Sequence, residues 1–466
     1  MAKIFTVILL TCSLSGYGMI RLPGIISDNM VMEQHSDVRI WGWGEPYEKV
    51  SVTTSWDHKT YPPVVVDGNA RWELTIHTPA AGGPYTLDIE GKNHLTVKNI
   101  LIGEVWLCSG QSNMEMCANW GLKDAQAALP RSHCPEIRFF QVPKRTASVP
   151  QQQIEGRWVI CDSATLAPFS AVGYFFGRTL YQRLACPVGL IESAWGGTSA
   201  EVWSPDSMIT HDPILQRAAG KIVPNGQCPN LPGYAFNAMI APLIPYKIAG
   251  VIWYQGENNT VNAGSYARLF TRMMDSWRSG WGYDLPFYFV QIAPYHYGQP
   301  YVGALLREAQ AASARLPHTG MVVITDLVDD TSNVHPADKH DVGLRLANRA
   351  LSETYHVGGI AYQSPVFKAM TIRNHQAWVT FQHGEEGLTV KGGQVRELFI
   401  AGEDQIFYPA EARIKDDMLI VWSDRVPRPV AVRYGFSNTG IGNLFGKNGL
   451  PVGPFRSDHW EVVVPR

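Results

Sequence analysis

Five short apolar segments, each followed by a stretch of helical length, constrain this chain more than any other feature. They are Glu104-Val105-Trp106-Leu107-Cys108, Val188-Gly189-Leu190-Ile191-Glu192, Gly250-Val251-Ile252-Trp253-Tyr254, Phe287 to Ile292 and Met321 to Thr325. Helical patterns cover Ala171 to Leu184, Tyr266 to Trp277, Leu305 to Leu316 and Ala337 to Leu351. Strands that are apolar throughout are buried on both faces, and strands alternating with helices form a parallel sheet covered on both sides. The pattern predicts an α/β fold: a flavodoxin-like, doubly wound, three-layer α/β/α domain over residues 100–354.

The flanks read differently. Between residues 19 and 99, Val38-Arg39-Ile40-Trp41, Lys49 to Thr53, Arg71 to Ile76 and Tyr85 to Ile89 alternate apolar with polar. Turn residues at Asp67-Gly68-Asn69 and Gly82-Gly83-Pro84 separate them, which predicts a small β-sandwich domain. After Tyr355 the chain returns to short β segments such as Ala377 to Phe381 and Met418 to Trp422. Residues 355–466 are therefore expected to form a second β region. The first 18 residues, with Lys3 before the apolar run Ile4 to Leu10 and small residues up to Gly18, have the pattern of a signal peptide. Export to the periplasm or beyond the cell is expected, with lipid anchoring at Cys12 the lesser alternative. No later segment is long and apolar enough to span a membrane.

Net charge is −2, from 39 basic and 41 acidic residues, with no basic block. That balance argues against nucleic acid or an anionic membrane surface as partner. The 15 Trp suit either sugar stacking or an ordinary core. Seven cysteines lack any C-x-x-C spacing, so no structural zinc site is expected. An exported chain would keep six of them, and their pairing is not readable.

The chemistry gathers where the strands end. Gly110-Gln111-Ser112-Asn113-Met114 follows the first strand, and Ser112 stands where a helix should begin. There a serine hydroxyl is exposed and the positive helix end lies beside it; a plain helix cap is the alternative. Trp195-Gly196-Gly197-Thr198-Ser199 follows the second strand, and paired glycines let the backbone aim an N–H at a ligand. Trp253-Tyr254-Gln255-Gly256-Glu257-Asn258 follows the third, and Asn333-Val334-His335-Pro336 the fifth. A nucleophile, oxyanion donors and a base on one sheet edge are the parts of acyl transfer.

These blocks resemble the sialate O-acetylesterase family, a branch of the SGNH (GDSL-like) hydrolases. Ser27-Asp28-Asn29-Met30-Val31, Trp41-Gly42-Trp43 and Arg307-Glu308-Ala309-Gln310 extend the resemblance, which runs from about residue 21 to about 352. It implies a carbohydrate O-acetylesterase with Ser112 as nucleophile and His335 as base. The oxyanion hole would comprise the Ser112 N–H, a glycine N–H from Gly196-Gly197 with Gly197 favoured, and the Gln255 side chain. Neither metal nor cofactor is implied. The superfamily's Asp three residues before the histidine is missing: Ser332 stands there. Asp326, Asp329 and Asp330, or a backbone carbonyl, are the candidates to orient His335. Glu257 and Asn258 are expected to brace the Gln255 loop or the Ser112 turn.

The expected partner is an acetylated carbohydrate, whether a sialic acid ester, acetylated xylan or another glycan. Residues 119–153 and 220–233 are the expected specificity elements. A non-catalytic carbohydrate-binding protein and a lipase or thioesterase of the same superfamily are the competing readings.

Overall fold

A computed structural model describes residues 19–224 and 226–463. The expected leader and Cys12 lie outside them. The central sheet runs, edge to edge, Thr319–Val322, Phe287–Val290, Gly250–Tyr254, His94–Gly110, Val188–Ala194, Cys134–Gln141 and Trp158–Cys161. All neighbours pair parallel except the last strand, which is antiparallel. Counted in chain order, the five expected strands lie 2-1-3-4-5, the order of a five-stranded doubly wound sheet.

Alternate side chains of a strand point to opposite faces, and the apolar runs divide accordingly. Val105, Leu107, Val251, Trp253, Phe287 and Phe289 lie in the core that includes the buried face of helix Ala263–Trp281. Trp106, Cys108, Ile252, Tyr254, Tyr288 and Val290 join the opposite core, with residues of helices Ala171–Leu184 and His340–Glu353. Helix Ala263–Trp281 shows why the sequence folds this way. Tyr266, Leu269, Phe270, Met273, Met274, Trp277 and Trp281 recur at helical spacing and are buried, and Gly282 ends the helix in the left-handed conformation at φ 81°. Ser170 caps helix Ala171–Leu184 by accepting from the Gly173 N–H, and its hydroxyl donates to the Met114 carbonyl at 2.6 Å. That second bond fixes the turn carrying Ser112 to the helix layer.

The structure departs from the sequence reading in two places. The stretch 119–153, expected to be a specificity element, contains the sheet strand Cys134–Gln141, and with Trp158–Cys161 it widens the sheet beyond the five strands expected. The expected boundary at residue 99 falls inside a single strand, His94–Gly110. Its first part pairs antiparallel with Gly82–Glu90 and its second part parallel with Val188–Ala194 and Gly250–Tyr254. One hydrophobic core accordingly runs from the N-terminal region into the layers of the central sheet. The aromatic surplus is largely core: Trp41, Trp106, Trp158, Trp203, Trp253 and Trp277 are fully buried.

The C-terminal region forms two four-stranded antiparallel sheets around a separate core that includes Val379, Ile400, Leu419 and Val432. It is tied to the helices on the central sheet by polar contacts. Arg456 grips Glu308 through two bonds of 2.7 and 2.8 Å, and the buried Arg307 guanidinium donates to the Ser437 and Asn438 carbonyls. Among the described residues, Cys108, Cys117, Cys134, Cys161 and Cys186 are free thiols.

Candidate active site

The His94–Gly110 strand ends at a position only glycine can fill. Gly110 has φ 138°, and a Cβ there would lie 2.2 Å from the Tyr254 carbonyl oxygen. The Gln111 N–H then donates to that same carbonyl at 3.0 Å. Ser112 opens a one-turn helix, Ser112–Glu115, in which Asn113 and Met114 are buried while Ser112 stays half-exposed. His335 lies between the last parallel strand and helix His340–Glu353, and its own N–H donates to Asn333 Oδ1 at 3.0 Å. Its Nε2 stands 2.8 Å from Ser112 Oγ. Burial, and then the charge of Lys339, hold the imidazole below its ordinary pKa of 6.5. At neutral pH it is therefore uncharged and free to accept a proton.

The glycine pair follows the Val188–Ala194 strand. The Trp195 N–H donates to the Gly110 carbonyl at 3.1 Å, which joins the two strand-end turns. Gly196 is in contact with the nucleophile turn, since a Cβ on it would meet Ser112 Cβ at 3.3 Å. Its N–H is already committed to Glu115 Oε2 at 2.7 Å. Gly197 has φ 76°. Among the described residues, the backbone N–H groups of Gly197 and Ser112 have no protein acceptor. The two glycines that sequence left side by side are thus distinguished by Glu115.

Gln255 is placed otherwise than expected. It is fully buried, and its amide donates to the Thr198 carbonyl at 3.2 Å and to Asn259 Oδ1 at 2.7 Å. Its carbonyl accepts from the Tyr266 hydroxyl at 3.0 Å. Both amide hydrogens are engaged, so the side chain holds the Gly197-Thr198 turn from beneath and presents no free donor. The three candidate acids are also elsewhere. Asp326 forms a two-pronged pair with Arg345 at 2.7 Å. Asp330 accepts from the Ser332 backbone and hydroxyl, and Asp329 is exposed. Among the described residues no carboxylate hydrogen-bonds to His335. Glu257 does brace the Ser112 turn: its Oε1 accepts from Asn113 Nδ2 at 2.7 Å. No group of three or more His, Cys, Asp or Glu among the described residues is arranged to hold a metal ion.

Residues 102–352 match the family described as carbohydrate esterase, sialic acid-specific acetylesterase. The chain belongs to that family. A sialate O-acetylesterase of Rattus norvegicus is 29% identical over 433 residues, covering 78% of this chain and 79% of the relative. That of Homo sapiens is 28% identical over 412 residues, covering 78% and 77%. A carbohydrate acetylesterase from Xanthomonas citri superposes with a TM-score of 0.87 at 36% identity, over 95% of this chain and 100% of that one. These relatives are carboxylic ester hydrolases, as the sequence blocks implied.

Three residues of the candidate site escaped the sequence reading: Glu115, Asn113 and Lys339. Asn113 and Glu115 lie within or next to the Ser112 block, and what they bind only becomes visible once distant loops meet. Within the stretch 220–233, Gln227 and Cys228 contact the glycine turn. The Gln227 carbonyl accepts from Trp195 Nε1 at 3.3 Å, and Cys228 Sγ lies 3.1 Å from the Gly197 carbonyl. Within 119–153, Lys144 pairs with Glu115 and lies 5.9 Å from the Trp195 ring centre. No described helix is long and apolar enough to cross a membrane.

Proposed function

We propose that this protein removes acetyl groups from sugar hydroxyls through an acetyl-Ser112 intermediate, on an SGNH-type three-layer scaffold. The observation that carries the reading is the 2.8 Å contact between Ser112 Oγ and His335 Nε2 at the edge of the parallel sheet. His335 takes the Ser112 proton as Oγ attacks the acetyl carbonyl. The tetrahedral oxyanion is received by the Ser112 and Gly197 N–H groups, each worth about 2.7–4 kcal/mol of barrier. Collapse expels the sugar oxygen, which takes the proton from His335. Water, deprotonated by the same imidazole, then releases acetate and restores the serine. Gln255 supports the hole by fixing the turn that carries Gly197.

Acetylated sialic acids are the first substrate class to test, because the curated relatives are named sialate O-acetylesterases; acetylated xylo-oligosaccharides are the second. Acetate release is measured across both panels with the wild type and Ser112→Ala. The expected result is release from at least one sugar ester that disappears in the variant, with acetyl preferred over octanoyl among simple esters. Undiminished activity in Ser112→Ala, or a clear octanoyl preference, overturns the reading.

A further inference from the structure

Among the described residues no carboxylate stands behind His335, yet it is held in line with Ser112. The restraint comes from the residue next to the nucleophile. Asn113 is fully buried, and its amide donates to the Val334 carbonyl at 3.0 Å as well as to Glu257. Its Oδ1 accepts from Lys339 Nζ at 2.6 Å. One side chain therefore grips the His335 loop immediately before the histidine and again four residues after it.

Lys339 is itself anchored. It is fully buried, and its backbone N–H and that of His340 both donate to Asp124 Oδ2 at 2.8 Å. Its ammonium lies 5.2 Å from the Tyr254 ring centre. The charged groups acting on it are Glu257, Asp124 and Asp338, and the charge it exerts in turn falls on His335. Burial pushes the Lys339 pKa down to about 7 and raises that of Glu257. A buried lysine costs more in desolvation than an apolar residue filling the same space.

We propose that Asn113 and Lys339 are positioning residues that take the place of the missing triad acid: they clamp both flanks of the His335 loop to the nucleophile turn. This inference rests on the proposed serine mechanism. It assigns the clamp to neutral hydrogen bonds and one cation, where a triad uses an anion. Such a site loses the anion's stabilisation of imidazolium but keeps the geometry.

The test compares Lys339→Met with wild type, using the full chain and p-nitrophenyl acetate. A shift of about 1 Å in the imidazole costs on the order of 100-fold in rate. The expected result is a kcat lower by about 10- to 100-fold with KM little changed, and an acid limb of kcat/KM displaced to higher pH. A purely structural lysine would not move that limb. Because Glu257 loses its counter-charge in Lys339→Met, the charge-balanced Lys339→Met/Glu257→Gln variant is measured alongside and read in the same way should the single variant not fold. Asn113→Leu is expected to lower kcat as well. A folded variant lacking Lys339 whose kcat and acid limb match wild type overturns the clamp. If wild type itself shows no Ser112-dependent hydrolysis, the serine mechanism fails instead, and the two failures are told apart by the Ser112→Ala control.

Discussion

Replacing Gly110 with alanine tests how the nucleophile is placed. The new Cβ would sit 2.2 Å from the Tyr254 carbonyl oxygen, whereas a carbon and a carbonyl oxygen settle at ~3.4 Å. The strand end or its neighbour must therefore move by about 1 Å. That neighbour is the Gly250–Tyr254 strand, in register with the His94–Gly110 strand from Gly250↔Trp106 to Tyr254↔Gly110, so it cannot yield without disturbing the sheet. The backbone also stands at φ 138°, where a side chain costs about 1–3 kcal/mol, and the crowding adds a similar amount. The expected loss is about 2–6 kcal/mol of stability, read by urea denaturation. Because Ser112 follows two residues later, a displacement of about 1 Å predicts a kcat on p-nitrophenyl acetate lower by roughly 100-fold. Gly264→Ala is the control: nothing lies within 4 Å of its Cβ, in an exposed turn of helix Ala263–Trp281. It is expected to leave kcat unchanged and to add up to about 1 kcal/mol of stability. A Gly110→Ala protein with wild-type kcat and unfolding midpoint would refute the placement argument.

Further predictions concern the same loops. The kcat/KM profile should rise with pH along a limb centred below 6.5, because only neutral His335 accepts the proton and burial holds its pKa down; a flat profile from about pH 5 to 8 contradicts this. Asp329→Asn and Asp330→Asn should each keep activity within a few-fold in a p-nitrophenyl acetate assay, whereas loss of a true triad acid costs about 10⁴-fold. Glu115→Ala removes the acceptor of the Gly196 N–H and frees the glycine turn, so kcat should fall by about 10-fold or more at similar KM. Unchanged kcat there would show that the turn holds its position without Glu115.

Much of this architecture is legible in the sequence because period and face agree. Val105 and Leu107 go to one core, Trp106 and Cys108 to the other, and strands with both faces buried read as unbroken apolar runs. Cys134–Gln141 hid because it carries Pro135, Glu136 and Arg138, the last nearly fully buried and bonded to the Pro135 carbonyl and Asn29. Its partners lie far away in sequence, and composition gives no sign of them. The site divides along the same line. Ser112, His335 and the Gly196-Gly197 pair follow strand ends, whose positions sequence periodicity marks, whereas the distinction between the two glycines rests on Glu115. The direction of the Gln255 amide depends on Thr198, Asn259 and Tyr266 together, and the fate of Asp326 depends on Arg345, nineteen residues away on the next helix. Pairwise polar choices of that kind are made only in the folded state.

The account turns on Ser112 being the atom that carries the acyl group. Treating the protein with a fluorophosphonate that mimics the tetrahedral intermediate, and mapping the adduct by peptide mass spectrometry, reads this directly. The expected result is a single adduct on Ser112, formed fast in wild type and slowly in His335→Ala. An adduct on another residue, or labelling of Ser112 at the same rate without His335, would contradict it.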